Sequence, residues 1–249
     1  MPMASFGDGG VPCTWGAVIV AAGRGTRFGR PKQLVELDGR PMLGWSIDTF
    51  ASMPEIPSIV IVTEPEFIAQ VEALARPLVR SASLAVVAGG ADRQASSSNG
   101  VAHVPEHCDG IFVHDGARPL VLPSEIRAGM RAVRPGVASL LAAPVVDTIK
   151  IVDGERKVTR TLDRATLWAA QTPQFATARD FRRAHAEAVR HAWPRATDDA
   201  ALLERAGLDV VVVEASPENI KVTHPTDLAR AETMMRERAL GPAPAERAR

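Results

Sequence analysis

Between Ala17 and Leu37 the chain reads AVIVAAGRGTRFGRPKQLVEL, an apolar run that ends in a glycine-rich turn and a basic cluster. Ala21, Ala22, Gly23 and Gly25 are small enough to let the backbone approach a ligand, and glycine accepts left-handed backbone angles. Arg24, Arg27, Arg30 and Lys32 put positive charge beside exposed backbone N–H groups, a combination suited to a polyphosphate. Two familiar phosphate loops are excluded. The pattern GxxxxGK followed by Ser or Thr is absent, and GxGxxG fails at its last position, which is Phe28. No acidic residue clearly ends the second predicted strand to take a ribose hydroxyl; Glu64 stands nearest to that role.

Three further clusters carry polar chemistry. In AGGADRQASSSNGV, Ala88 to Val101, Gly89 and Gly90 allow close backbone approach, and Arg93 and Ser96 add donors at a helix start. That pattern is either an ordinary strand-to-helix turn with a capping serine or a nucleotide base and ribose site. In FVHDGARPLV, Asp115 can order a metal-bound phosphate or a substrate hydroxyl, and Arg118 can hold a phosphate or lock Asp115 in a bidentate pair. His114 reads as a packed or hydrogen-bonded histidine rather than a base. The later segments PVVDTIK, LDRATLWAAQTPQF, ATDDAALLE and ENIKVTHPTDL contain local caps and turns: Thr197 with Asp198 and Asp199 as a helix start, Thr223 before Pro225 and Asp227 as another, Thr172-Pro173 as a turn. Capping does not account for Lys150, Arg164 and Lys221, basic groups beside loops that converge on one sheet edge.

The elements that must hold these clusters alternate. Predicted strands are Ala17–Ala21, Ser58–Thr63, Leu84–Ala88, Gly110–His114, Ser139–Pro144 and Val210–Glu214. Predicted helices are Met42–Ser52, Pro65–Arg76, Arg93–Val104, Pro123–Val133, Ala178–Ala192, Asp198–Ala206 and Pro225–Arg238. Strands nearly continuous in Val, Ile, Leu and Ala between helices imply an α/β fold with a parallel sheet covered on both faces. In such a sheet ligands bind at the carboxyl ends of the strands, where the first loop lies. One segment breaks the rhythm: TIKIVDGERKVTRTL, from Thr148 to Leu162, reads as a β-hairpin turning at Asp153-Gly154, either a surface decoration or a dimerisation arm.

Composition narrows the partners. The 249 residues include 29 basic and 29 acidic side chains, which gives no global attraction to nucleic acid or an anionic membrane. Cys13 and Cys108 show no zinc-type spacing and read as free thiols in a reducing, cytoplasmic compartment. No apolar run approaches the ~20 residues that span a bilayer, and the N-terminus lacks a signal-peptide pattern. A disordered lead over 1–14, one domain over 15–240 with an arm at about 148–165, and a disordered tail over 241–249 are expected.

Taken in order, AAGRGTRFGRPKQ, GGADRQAS, VHDGARP, PVVDTIK, LWAAQTPQF, ATDDA and NIKVTHPTDLARAE resemble the 2-C-methyl-D-erythritol 4-phosphate cytidylyltransferases of the non-mevalonate isoprenoid pathway. Single motifs recur in other sugar nucleotidyltransferases; the ordered set is specific to this family and the related ribitol-5-phosphate cytidylyltransferases. The resemblance implies a Rossmann-like nucleotidyltransferase fold in which methylerythritol phosphate attacks the α-phosphorus of CTP and pyrophosphate leaves. It implies that Arg27 and Lys32 stabilise the pentacovalent phosphorus, that Ala21, Ala22, Gly23, Gly25, Lys32, Gly90, Ser96, Asp115 and Lys221 receive CTP, and that Asp115, Arg118, Thr148 and Thr172 surround the alcohol substrate and triphosphate, with Thr197 also binding the substrate. Arg164 and Lys221 would hold the substrate phosphate, Arg164 reaching from the arm into a neighbouring subunit of a homodimer. Mg2+ would be held mainly by CTP phosphates. The chain departs from the family pattern in a shorter Arg27–Lys32 segment, and in Gly116, Ala91 and Ala176 where Ala, an acidic residue and Phe are usual. A ribitol-5-phosphate enzyme, or a regulatory module that binds nucleotide without turnover, is the alternative.

Overall fold

The computed structural model describes residues 10–23 and 32–240. Strand β1 (Trp15–Val20) is followed by a two-residue hairpin, β2 (Glu36–Leu37) and β3 (Arg40–Pro41), and then by α1 (Met42–Ala51). Next come β4 (Ser58–Thr63), α2 (Ile68–Ala75), β5 (Ser83–Ala88), α3 (Arg93–Ala102), β6 (Gly110–Asp115), α4 (Pro123–Ala132) and β7 (Val137–Pro144). A hairpin of β8 (Lys150–Val152) and β9 (Val158–Thr161) leads into β10 (Trp168–Thr177), α5 (Ala178–Arg190), α6 (Asp199–Arg205), β11 (Asp209–Glu214) and α7 (Pro225–Leu240).

Seven strands form one sheet in the order β11-β7-β10-β6-β1-β4-β5. All neighbours run parallel except β10, which is antiparallel to both β6 and β7. The residues of β1 show why the sheet needs helices on both faces. Ala17 and Ile19 pack with Leu43, Ile47 and Phe50 of α1 and Ile126 of α4, whereas Val18 and Val20 pack with Val101 of α3, Phe181 of α5 and Leu202 of α6. Side chains alternate across a strand, so a run buried on both sides reads as continuously apolar. Each such Ile, Leu or Val contributes roughly 1.5–3 kcal/mol on full burial.

The strand β10 is not among those expected from sequence. Thr172-Pro173 reads locally as a turn, but it lies inside β10, where the register to β7 shifts between Ala170 and Gln174. A bulge tolerates proline because the ladder is already interrupted there. The bulge carries Gln171 and Thr172 to the carboxyl end of β6. The β8–β9 hairpin is present where expected, and both its strands are exposed along their whole length. Within the expected N-terminal lead, Thr14 Oγ1 donates to Asp109 Oδ2 at 2.8 Å. Residues 1–9, the tail 241–249, and Arg24, Gly25, Arg27 and Arg30 lie outside the described residues, as does the side chain of Lys32.

Candidate active site

Asp115 is the last residue of β6, at the carboxyl edge of the parallel strands. Three cations meet its carboxylate. Lys221 Nζ donates to Oδ2 at 2.7 Å, Arg93 Nε donates to Oδ1 at 3.2 Å, and Arg118 Nε stands 4.0 Å from Oδ2. Burial alone would raise the Asp115 pKa, but the facing Arg93 and Lys221 overcome it and hold the carboxyl well below the usual range. Arg93 is itself a bridge, for its Nη1 donates to Asp199 Oδ2 at 2.8 Å. Burial alone would lower the Arg93 pKa, but the carboxylates of Asp199 and Asp115 together raise it.

These groups line a cleft of about 290 Å3 that includes Arg93, Asp115, Arg118, Thr172, Thr197 and Lys221. Different elements deliver each of them. Arg93 opens α3, whose N-cap is Asp92, with its side chain accepting from the Ala95 amide at 2.8 Å. Lys221 sits between β11 and α7. Its loop is tied down by Asn219, whose fully buried carboxamide donates to Gln171 Oε1 and to the Thr172 carbonyl, both at 2.9 Å. The Asn219 carbonyl in turn accepts from Arg118 Nη1 at 2.7 Å. Thr197 precedes α6, but Asp198 is the N-cap, accepting from the Ala201 amide at 3.0 Å and from Gln174 Nε2 at 2.8 Å.

Beneath the cleft lies His114, wholly buried. Its Nδ1 is 3.1 Å from Thr172 Oγ1 and its Nε2 is 3.0 Å from the Arg118 carbonyl oxygen. Burial pushes its pKa down to about 4, so the ring is neutral near pH 7. The sequence-based expectation of a packed histidine rather than a base agrees with this placement.

The second glycine cluster adjoins the same edge. Ser96 Oγ accepts from the Gly90 amide at 3.0 Å and donates to the Asp92 carbonyl at 2.8 Å, so its hydroxyl organises the turn. A Cβ on Gly89 would come within 2.4 Å of Ala22 Cβ, which places this turn directly against the Ala21–Gly23 end of the first loop. Ala21, Ala22, Gly23, Gly90 and Ser96 therefore share one side of the edge, and Asp115, Arg118, Thr172, Thr197 and Lys221 the other. Arg164 and Thr148 are not brought into this cleft. Arg164 opens a 3-10 turn beyond the hairpin, its Nη1 donating to the Val146 carbonyl at 2.9 Å, and Thr148 is exposed at the hairpin's base. Sequence reading misses the bridging role of Arg93, the Gln171–Asn219 clamp and the Gln174–Asp198 bond. The only local signal is the crowding of amides, acids and bases in ATDDA, LWAAQTPQF and ENIK.

The arrangement is a basic, backbone-rich sheet edge with one carboxylate held ionised at its centre, suited to orienting two phosphate-bearing molecules. The family model for 2-C-methyl-D-erythritol 4-phosphate cytidylyltransferase matches residues 16–237. A protein of that name from Prochlorococcus marinus (strain MIT 9313) is 44% identical over 228 residues, covering 89% of this chain and 98% of its own. Among solved structures, the 4-diphosphocytidyl-2C-methyl-D-erythritol synthase of Anaerococcus prevotii DSM 20548 superposes with a TM-score of 0.80 at 25% identity, covering 90% of this chain and 99% of that one. The 2-C-methyl-D-erythritol 4-phosphate cytidylyltransferase of Thermus thermophilus gives a TM-score of 0.70 at 29% identity, covering 88% and 98%. With a match that runs from the first strand of the sheet to the last helix, this chain belongs to the 2-C-methyl-D-erythritol 4-phosphate cytidylyltransferase family.

Proposed function

We propose that this chain transfers CMP from CTP to 2-C-methyl-D-erythritol 4-phosphate, releasing pyrophosphate. An oxygen of the alcohol's phosphate attacks the α-phosphorus of CTP in line. A new P–O bond forms, the bond from the α-phosphorus to the bridging oxygen breaks, and pyrophosphate departs with the electron pair. Such a transfer needs positioned reactants and fixed positive charge more than a protein nucleophile. The observation that carries the reading is the gathering of Arg93, Arg118 and Lys221 around the single carboxylate of Asp115, beside the glycine turns.

In this reading the base and ribose of CTP lie over Ala21, Ala22, Gly23, Gly90 and Ser96, with Gly25 cradling its phosphates. Arg27 and Lys32 stabilise the charge that builds at the α-phosphorus. Lys221 and Arg118 hold the alcohol's phosphate, while Asp115, Thr172 and Thr197 bound its pocket. Asp115 holds Lys221 extended towards the cleft. Among the described residues no cluster of three His, Cys, Asp or Glu could hold a metal, and Asp115 is committed to Lys221 and Arg93. That donor set fits a Mg2+ bound chiefly to nucleotide phosphates, where it supplies charge neutralisation. The exposed hairpin, with Ile151, Val152 and Val158 uncovered, supports an arm that packs on a second copy and offers Thr148 and Arg164 to that copy's site. Two free cysteines fit work in a reducing cytoplasm. Among the described residues no helix is long and apolar enough to cross a membrane.

Pyrophosphate release from CTP and Mg2+ with methylerythritol phosphate, run beside ribitol 5-phosphate, tests the proposal. Release with the first alone is expected. Release with ribitol 5-phosphate alone, or silence with both, overturns it.

A further inference from the structure

Thr172 lines the cleft, yet its hydroxyl is already engaged on both sides. The Asp115 amide N–H donates to Thr172 Oγ1 at 3.0 Å, so that oxygen is an acceptor there. Its proton must then go elsewhere, and His114 Nδ1 lies 3.1 Å away. The other side of the imidazole fixes the direction. His114 Nε2 faces the Arg118 carbonyl oxygen at 3.0 Å, and a carbonyl can only accept, so Nε2 carries the hydrogen. A neutral ring has one N–H, which leaves Nδ1 bare and able to take the Thr172 proton. Ser46 Oγ stands 3.5 Å from the same Nε2 and 3.3 Å from the Arg118 carbonyl oxygen, so its hydrogen goes to the carbonyl while its oxygen faces the Nε2 hydrogen.

We infer that His114 is a positioning residue, acting through Thr172 and the Arg118 carbonyl to set the Asp115–Arg118 turn, and that Thr172 keeps its hydroxyl proton on His114 rather than giving it to the substrate. The relay Asp115 N–H to Thr172 to His114 to Arg118 joins the end of β6 to the bulge of β10. Both attachment points flank the two side chains that face the cleft. The consequence rests on the proposed reaction with methylerythritol phosphate, where Arg118 and Asp115 bound the alcohol's pocket.

Two readings of Thr172 give opposite outcomes. If Thr172 donated to the substrate phosphate, His114→Phe would free its proton and leave alcohol binding intact or improved. If the relay positions the turn, His114→Phe removes both bonds while keeping a flat ring against Phe50, whose centroid is 5.1 Å from the imidazole. We expect His114→Phe and Thr172→Val each to raise the KM for the alcohol phosphate about tenfold or more. Thr172→Ser should restore the value. The double variant should be no worse than the poorer single one, because both break one relay. CTP affinity measured calorimetrically without the alcohol should fall much less than the alcohol's.

Additive losses, a harmless His114→Phe, or an equal loss of CTP affinity would overturn the inference. Nitrogen NMR of the wild-type imidazole tests it without any variant: Nδ1 must carry no hydrogen and Nε2 must carry one, and the opposite tautomer refutes it. A wild-type protein silent with methylerythritol phosphate would instead refute the proposed reaction, and the NMR result would still decide the relay.

Discussion

Replacing Asp115 with Asn tests the electrostatics at the centre of the cleft. The carboxylate is 11% exposed and stands within 4.0 Å of three cations. Asparagine keeps the shape but leaves Arg118 and Lys221, with Arg93 now paired to Asp199 alone, facing one another around a neutral group. Removing one partner from a buried ion pair costs about 3–5 kcal/mol. Lys221 is 41% exposed, so water screens its share, and the low end, ~3 kcal/mol, is the working figure. For a domain of this length, each kcal/mol moves Tm by about 2–4 °C, so a fall of about 6–12 °C is expected. Thermal melts followed by circular dichroism measure it. The pH dependence has a definite sign. Arg93 and Lys221 hold the folded carboxyl below its unfolded value of about 3.9, so its contribution is complete above that value and is lost as pH falls through the folded one. The gap between wild type and Asp115→Asn should therefore be constant from about pH 5 to 8. Added pyrophosphate should narrow it, because the anion takes the place of the missing charge. A gap under about 2 °C at pH 7, or one that widens as pH falls from 7 to 5, would refute the account.

Further expectations concern separate parts of the molecule. Burial depresses the pKa of His114 to about 4 and lowers that of His185, so the unfolded chain binds more protons below pH ~6.5. Stability should decline as pH drops through 6.5, by at most about 1.4 kcal/mol per pH unit for each histidine, and a flat urea-denaturation profile from pH 7.5 to 5 would contradict this. Gly129→Ala would bring a Cβ within 2.3 Å of Phe175 Cε2 in the aromatic core, so a loss of about 1–3 kcal/mol is expected, with turnover per folded molecule unchanged. Mixing Arg164→Ala with Lys32→Ala subunits should recover activity above either parent, and no recovery after proven subunit exchange would count against a shared site.

How much of this is legible in the chain depends on the range of the interaction. The runs Ser58–Thr63 and Gly110–His114 lie in observed strands because a strand buried on both faces must be continuously apolar. The hairpin turning near Asp153-Gly154 is equally plain, since turn chemistry is carried by adjacent residues. The strand β10 is not. Its first seven residues, WAAQTPQ, contain polar amides and a proline that locally signal a turn, and its pairing is a choice made by β6 and β7. Ser96 reads locally as a donor at a helix start, whereas the cap is Asp92 and Ser96 holds the Gly90 amide.

Residue types, the alternation of strand and helix, and the glycine and basic loops at strand ends are written in the chain itself, because each depends on neighbours a few positions apart. The assembly of the cleft is decided by tertiary structure. Arg93 reaches Asp199 across 106 positions, Lys221 reaches Asp115 across 106, and His114 reaches Thr172 across 58. No local pattern encodes such pairs. They exist because the sheet order places β10 against β6 and because buried donors and acceptors must find partners once water is excluded.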